Sequence, residues 1–293
     1  MAERQQAEVS GRPGTLTVGL LQNAPVGGQV DANIDGIMAL RSRLGQVDLA
    51  LTPELAVNGY GFGPAAYLAP LTGDDARLEP LLTGPTAMGI GFAEATATDR
   101  PRNAYLLADA GNRFVQHKIH PVSYPPWNEH LGFEAGNVLG AAEIRGVQCA
   151  TVICNDMWHP VIPWLAAQAG AEVLIIPVAS IEGDAVDHVQ RTWKAILDHA
   201  ALLLQCYVVF INRCGTDAGA TFWGGSRILG PDGATLAEAG NSETTIEATL
   251  DLTALRALRA RTPLLAEVRT DVVLDALSRV GLPLRVEMEA PHV

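Results

Sequence analysis

Cys154 closes a short apolar run, VQCATVI (147–153), and is one of four cysteines in the 293-residue chain, with Cys149, Cys206 and Cys214. In open α/β sheets ligands gather beyond the carboxyl ends of strands, so the polar residues that follow expected strands are the first to consider. They are Glu54 after VDLALTP, Lys118 after RFVQH, Cys154 itself, and Asn212–Arg213 after YVVFI. A nucleophile, an acid/base and a cation are what acyl transfer through a thioester requires. Taken singly, each has an ordinary reading. A cysteine at a strand end is most often a small buried hydrophobe. A glutamate beside an apolar stretch is most often a cap or surface residue, and a lysine between His117 and His120 a solvated one.

The elements that would position these groups alternate. Residues 15–22, 47–52, 86–94, 103–109, 147–153, 172–179 and 206–211 read as strands from short, apolar, β-branched runs. Residues 31–45, 160–170 and 187–205 read as helices. In the first, Ile34, Ile37, Leu40 and Leu44 recur at steps of three or four, with Asp31 or Asn33 available as caps. Pro177 is expected to mark a strand end, because a proline inside a central strand forfeits a ladder bond. Residues 222–229 and 234–239 flank the turn GPDG and read as a hairpin. This alternation predicts an α/β fold with a sheet covered on at least one face. One domain is expected over 15–275, with a disordered tail over 1–14 and a C-terminal tail over 276–293.

Composition narrows the function. Hydrophobic residues are 48% and charged residues 18%, enough apolar surface to fold. The longest apolar runs fall short of the ~20 residues that span a bilayer, and no secretory signal pattern opens the chain. A net charge of −12 offers no basic excess to displace counterions from phosphates, so neither nucleic acid nor a membrane is expected as a partner. The cysteines form no C-x-x-C pair and read as free thiols in a reducing cytoplasm. His117 and His120 lie three apart on an extended segment, hence on opposite faces, and no metal or cofactor is expected. No glycine pattern matches a nucleotide-binding loop.

The local contexts are more specific than the residue types. They are TPELAVNGY (52–60), HKIHP (117–121), EHLGFEAG (129–136), VICNDMWHP (152–160), GAEVLIIPVAS (170–180), NRCG (212–215) and FWGGSRILGPDG (222–233). In this order they resemble the nitrilase, or carbon–nitrogen hydrolase, superfamily over about residues 15–275. The resemblance implies a four-layer α-β-β-α sandwich. It also implies roles. Cys154 is the nucleophile, Glu54 the general base and acid, and Lys118 the oxyanion donor together with a backbone N–H after the cysteine. Glu129 is favoured over Glu134 as a second carboxylate that orients Lys118 or docks the substrate, and Asp156 supports the local turn.

Departures bear on substrate. Asn155-Asp156 stand where true nitrilases carry Trp-Glu, which disfavours a nitrile substrate. Met157 and Trp158 stand where carbamoyl-D-amino-acid hydrolases place two arginines. Those two, with Tyr60, Phe62, Tyr124 and Trp127, suggest a neutral, partly apolar acyl group. Tyr60, Asn155 and Trp158 are the expected substrate contacts. The expected activity is hydrolysis of a small neutral amide or N-carbamoyl compound by a cytoplasmic homodimer or larger homo-oligomer. A nitrilase and a catalytically silent binding module of the same fold stay open as alternatives.

Overall fold

The computed structural model describes residues 12–61, 69–182 and 186–280. Phe62 and most of both expected tails lie outside these residues. The described end of the N-terminal stretch is tied down: Gly14 O accepts bonds from Leu252 and Thr253 N–H, and Pro13 O from Arg256.

Two six-stranded sheets carry the fold. The first is built from β1 (Thr15–Gln22), β2 (Leu49–Leu51), β3 (Ala87–Glu94), β4 (Arg102–Asp109), β5 (Asn112–His117) and β14 (Thr244–Asp251), in the order β14-β1-β2-β3-β4-β5. The second is built from β6 (Ala141–Ile144), β7 (Val147–Thr151), β8 (Val173–Val178), β9 (Tyr207–Asn212), β12 (Arg227–Leu229) and β13 (Thr235–Glu238), in the order β13-β12-β9-β8-β7-β6. Each has three parallel strands at its centre, β1-β2-β3 and β7-β8-β9, flanked by antiparallel partners. A small pair, β10 (Cys214–Asp217) and β11 (Ala220–Trp223), stands apart.

The apolar runs are continuous because both faces of each sheet are covered. Along β8, Val173 and Ile175 join Leu16, Val18, Leu51 and Val209 in a core between the sheets. Leu174, Ile176 and Val178 instead pack outward against Trp193, Leu197 and Ala201 of a long helix. On the far face of the first sheet, Met88, Ile90 and Phe92 meet Ile34, Ile37 and Leu40. The longer helices are α1 (Val30–Arg41), α2 (Val161–Gln168), α3 (Val186–Leu204), α4 (Leu252–Arg261) and α5 (Thr270–Val280), with single turns at Glu79–Leu82 and Glu129–Gly132. The layers run α-β-β-α, as the resemblance implies. Burying one Val, Leu or Ile side chain in such a core contributes about 1.5–3 kcal/mol.

Several local expectations change. Neither Asp31 nor Asn33 caps α1, whose N-cap is Gln29. Asn33 is buried and instead grips the preceding loop, accepting from Val26 N–H and donating to the carbonyls of Val26 and Val57. The single strand expected over 222–229 is split, because Gly224 and Gly225 both take φ +66° and break the extended run. Pro177 lies inside β8 rather than at its end, paired in register with Ile211. It costs no ladder bond. Ile175 O accepts from Val152 N–H on the β7 side, so the backbone of Pro177 faces that side too, where β7 has already ended at Thr151.

Candidate active site

The gap left by β7 is where Cys154 sits. The chain leaves the strand, and Cys154 takes φ +44° at the head of a 3₁₀ turn, Cys154–Trp158. A left-handed residue other than glycine is uncommon and strained. Two more occur beside the other candidates: Leu55 at φ +51° follows Glu54, and Asn128 at φ +42° precedes Glu129. Three of the backbone outliers thus sit at three of the four segments expected to carry chemistry, the Lys118 segment having none.

The loop bearing Glu54 is pressed onto β3. Thr52 N–H donates to Gly89 O, Gly91 N–H to Thr52 Oγ1, and Val57 N–H to Gly91 O. A Cβ at Gly91 would lie 2.2 Å from Pro53 O, so only glycine allows this approach. Lys118 follows β5, its N–H bonded to Asn103 O and its carbonyl to Gly136 N–H.

Side chains from these loops converge. Lys118 Nζ lies 2.8 Å from Glu54 Oε1 and 2.7 Å from Glu129 Oε2, all three groups being buried. Asn103 Nδ2 donates to Glu54 Oε1 at 2.7 Å, while Glu54 Oε2 has no partner among the described residues. Glu129 also accepts from Val122 N–H at 2.9 Å and from the Tyr60 hydroxyl. Glu134 stands elsewhere, on Thr98 and Arg102.

The electrostatics follow from this packing. Burial raises the pKa of Glu54, against the pull of Lys118. Burial opposes the charge on Lys118, but Glu129 and Glu54 outweigh it and hold the ammonium well above its ordinary value. Burial, then Glu54, push the Cys154 thiol far up, with Lys118 and the backbone of Ala179 pulling the other way. The packing thus favours the neutral thiol of Cys154 over its thiolate. Burial raises the other three thiols as well, Cys206 and Cys214 each to about 11.

Cys154 and Glu129 open onto a cavity of about 260 Å³ lined also by Asn155, Trp158, Tyr124, Trp127 and Trp193. Among the expected substrate contacts, Asn155 and Trp158 line it. Tyr60 is buried behind Glu129, edge-on to Trp127 at 5.4 Å. Met157 is buried toward the outer helices and does not face this cavity, so only Trp158 of that pair does. Arg213 and Asn212 brace loops behind the site. The guanidinium lies 3.9 Å over the Phe222 ring and 3.2 Å from Asp217, and Asn212 accepts from Ser180 N–H. His117 pairs with Glu94. Asp156 accepts from Ile119 N–H, His120 N–H and His120 Nδ1, joining the Lys118 loop to the Cys154 turn. Trp193, Val189, Ile181 and Asn103 were not singled out by the sequence. The first two lie four apart on α3, a spacing that any buried helix face shares.

A family model described as carbon-nitrogen hydrolase matches residues 17–260. The chain belongs to the carbon–nitrogen hydrolase family. Among relatives of this hydrolase, an (R)-stereoselective amidase from a Pseudomonas species is 30% identical, over 83% of this chain and 88% of that protein. A 2-oxoglutaramate amidase from Bacillus subtilis is 29% identical, over 77% and 86%. The fold matches a carbon–nitrogen hydrolase from Helicobacter pylori G27 with TM-score 0.80 at 22% identity, over 90% of this chain and 99% of the other. Among the described residues no helix is long and apolar enough to cross a membrane.

Proposed function

We propose that this carbon–nitrogen hydrolase is a cysteine-dependent amidase in which Cys154, Glu54, Lys118 and Glu129 form the catalytic centre. The observation that carries the reading is one buried ammonium held between two carboxylates, 2.8 and 2.7 Å away, beside a cavity that exposes a strained cysteine.

The amide carbonyl is placed against Cys154. Glu54, whose Oε2 is otherwise unpartnered, takes the thiol proton as sulfur attacks. Proton and sulfur move together, because burial disfavours a resting thiolate. Charge then develops on the carbonyl oxygen. Lys118 and the backbone N–H after Cys154 stabilise it, a contribution of roughly 10²–10³ in rate for one such donor. Glu54 returns its proton to the departing nitrogen, the C–N bond breaks, and ammonia or an amine leaves. Water, activated by the same carboxylate, then cleaves the thioester. Glu129 keeps Lys118 aimed at the oxygen, and Tyr60 and Val122 N–H keep Glu129 in place.

Two finer points belong to this reading. Four free thiols suit a reducing cytoplasm. Self-association suits the apolar side chains exposed on α2 and α5, Val161, Leu165 and Leu274 among them, and light scattering at a monomer mass would remove it.

The test of function is an ammonia-release screen over amides, nitriles and N-carbamoyl compounds, with Cys154→Ala as control. Release from amides that vanishes in the variant is expected. Release from nitriles alone would overturn the amidase reading.

A further inference from the structure

The cavity beside Cys154 has a lopsided chemistry. Beyond the reacting groups its wall is Trp158, Trp193, Val189, Ile181, Val122 and Tyr124. Among the described residues its polar side chains are Glu129, Asn155 and Ser180, and no Lys, Arg or His lines it. Glu129 is already occupied by Lys118, Tyr60 and Val122 N–H. Lys118 is buried and its charge is already paired with two carboxylates. None of the described lining residues carries a positive charge that could neutralise an anion at the far end of a substrate, and a carboxylate taken from water without a partner costs several kcal/mol.

The wall is also stiff. Trp158 meets Trp193 edge-on at 5.5 Å, Trp193 leans on Phe210 at 5.1 Å, and Phe210 stacks on Trp223 at 5.6 Å. Trp193 is 2% exposed, so the outer layer of the fold fixes this surface. The volume, about 260 Å³, is below the range typical of drug-sized ligands. A dry apolar cavity of about 150 Å³ accepts benzene, so there is room for one ring or a branched chain plus the amide.

We infer that the substrate is the amide of a compact, uncharged, apolar carboxylic acid, that Trp158 and Trp193 set this specificity, and that amides ending in a second carboxylate are rejected. The inference rests on the amidase reading and sharpens it.

The test compares near-isosteres. 4-Methylpentanamide and succinamate differ chiefly in an isopropyl group against a carboxylate, and 5-methylhexanamide and glutaramate repeat the comparison one methylene longer. The expected ratio of kcat/KM is roughly 100-fold or more in favour of the uncharged member of each pair. Trp158→Arg places a cation at a partly exposed point of the wall and should narrow that ratio about tenfold, by raising turnover of succinamate and lowering that of its partner. Val189→Lys, from α3, should act in the same direction and stands in if the first variant melts early. Equal or preferred turnover of succinamate by the parent enzyme overturns the specificity and leaves the amidase reading intact, as would ratios unmoved in both folded variants. Absence of ammonia from all four amides, with no acyl adduct on Cys154, overturns the amidase reading and the specificity together.

Discussion

Lys118 is a buried charge with one carboxylate on either side. Lys118→Met is expected to lower kcat by about 10²–10³. It also leaves Glu54 and Glu129 facing one another, which should destabilise the fold by about 3–5 kcal/mol. Pairing it with Glu129→Gln should restore much of the melting temperature and none of the rate. Glu54 shapes the pH profile. Burial raises its folded-state pKa above the ordinary carboxylate value of about 4.3. In the proposed mechanism the ionised form takes the thiol proton, so kcat/KM should fall as pH drops through that raised value. The stability relation has the opposite sense. A raised folded pKa stabilises fully below the unfolded value, and that contribution is lost as pH rises through the folded value. Glu54→Gln should therefore melt higher than the parent at neutral pH while turning over about 10³-fold more slowly, as calorimetry and steady-state kinetics would show. A lower melting point with the same rate loss would place Glu54 in a supporting role.

At the scale of elements, the site depends on how three loops are held. Gly91 lets the Glu54 loop lie against β3, and Gly91→Ala brings a methyl into the backbone of Pro53 and Leu55. A displacement of about 1 Å costs on the order of 10²-fold in rate, so kcat/KM should fall by that much. Unchanged kinetics would show the loop is placed by other contacts. Legibility in the sequence differed from element to element. Strands with both faces buried announced themselves as continuous apolar runs, and Glu54 and Cys154 were found because each follows one, whereas Lys118 follows the half-exposed NRFVQH. β6, β10 and β14 were passed over, being short or only half-buried, as in the alternation of TTIEATLD. The second sheet came from the family resemblance alone, since periodicity along one strand carries no information about which sheet it joins. Tyr60 read as a substrate contact because its position after Asn58-Gly59 could not reveal that Glu129, 69 residues on, takes its hydroxyl. The Trp193 wall was hidden for the same reason.

Over the whole molecule, the two sheets are stitched together away from the site by α4. This helix follows β14 of the first sheet and reaches the second through two arginines. Arg256 makes a paired contact with Glu172, at 2.6 and 3.1 Å, and Arg259 donates to the carbonyls of Ala171 and Gln205, just before β8 and β9. These are the amino ends of the strands, whereas Cys154, Ala179 and Ser180 lie beyond carboxyl ends. Arg256→Ala should thus cost about 2 kcal/mol in denaturant unfolding and leave kcat/KM unchanged. A matching loss of activity would mean that the ends of the sandwich are coupled.

The proposed chemistry turns on a covalent bond to one sulfur. Its most direct measurement is intact-protein and peptide mass spectrometry of enzyme acid-quenched during turnover of 4-methylpentanamide. The expected result is a mass gain of one acyl group on the peptide containing Cys154, absent in Cys154→Ala, which also releases no ammonia. Ammonia released without that adduct and undiminished in Cys154→Ala, or an adduct carried by Cys149, Cys206 or Cys214, would contradict it.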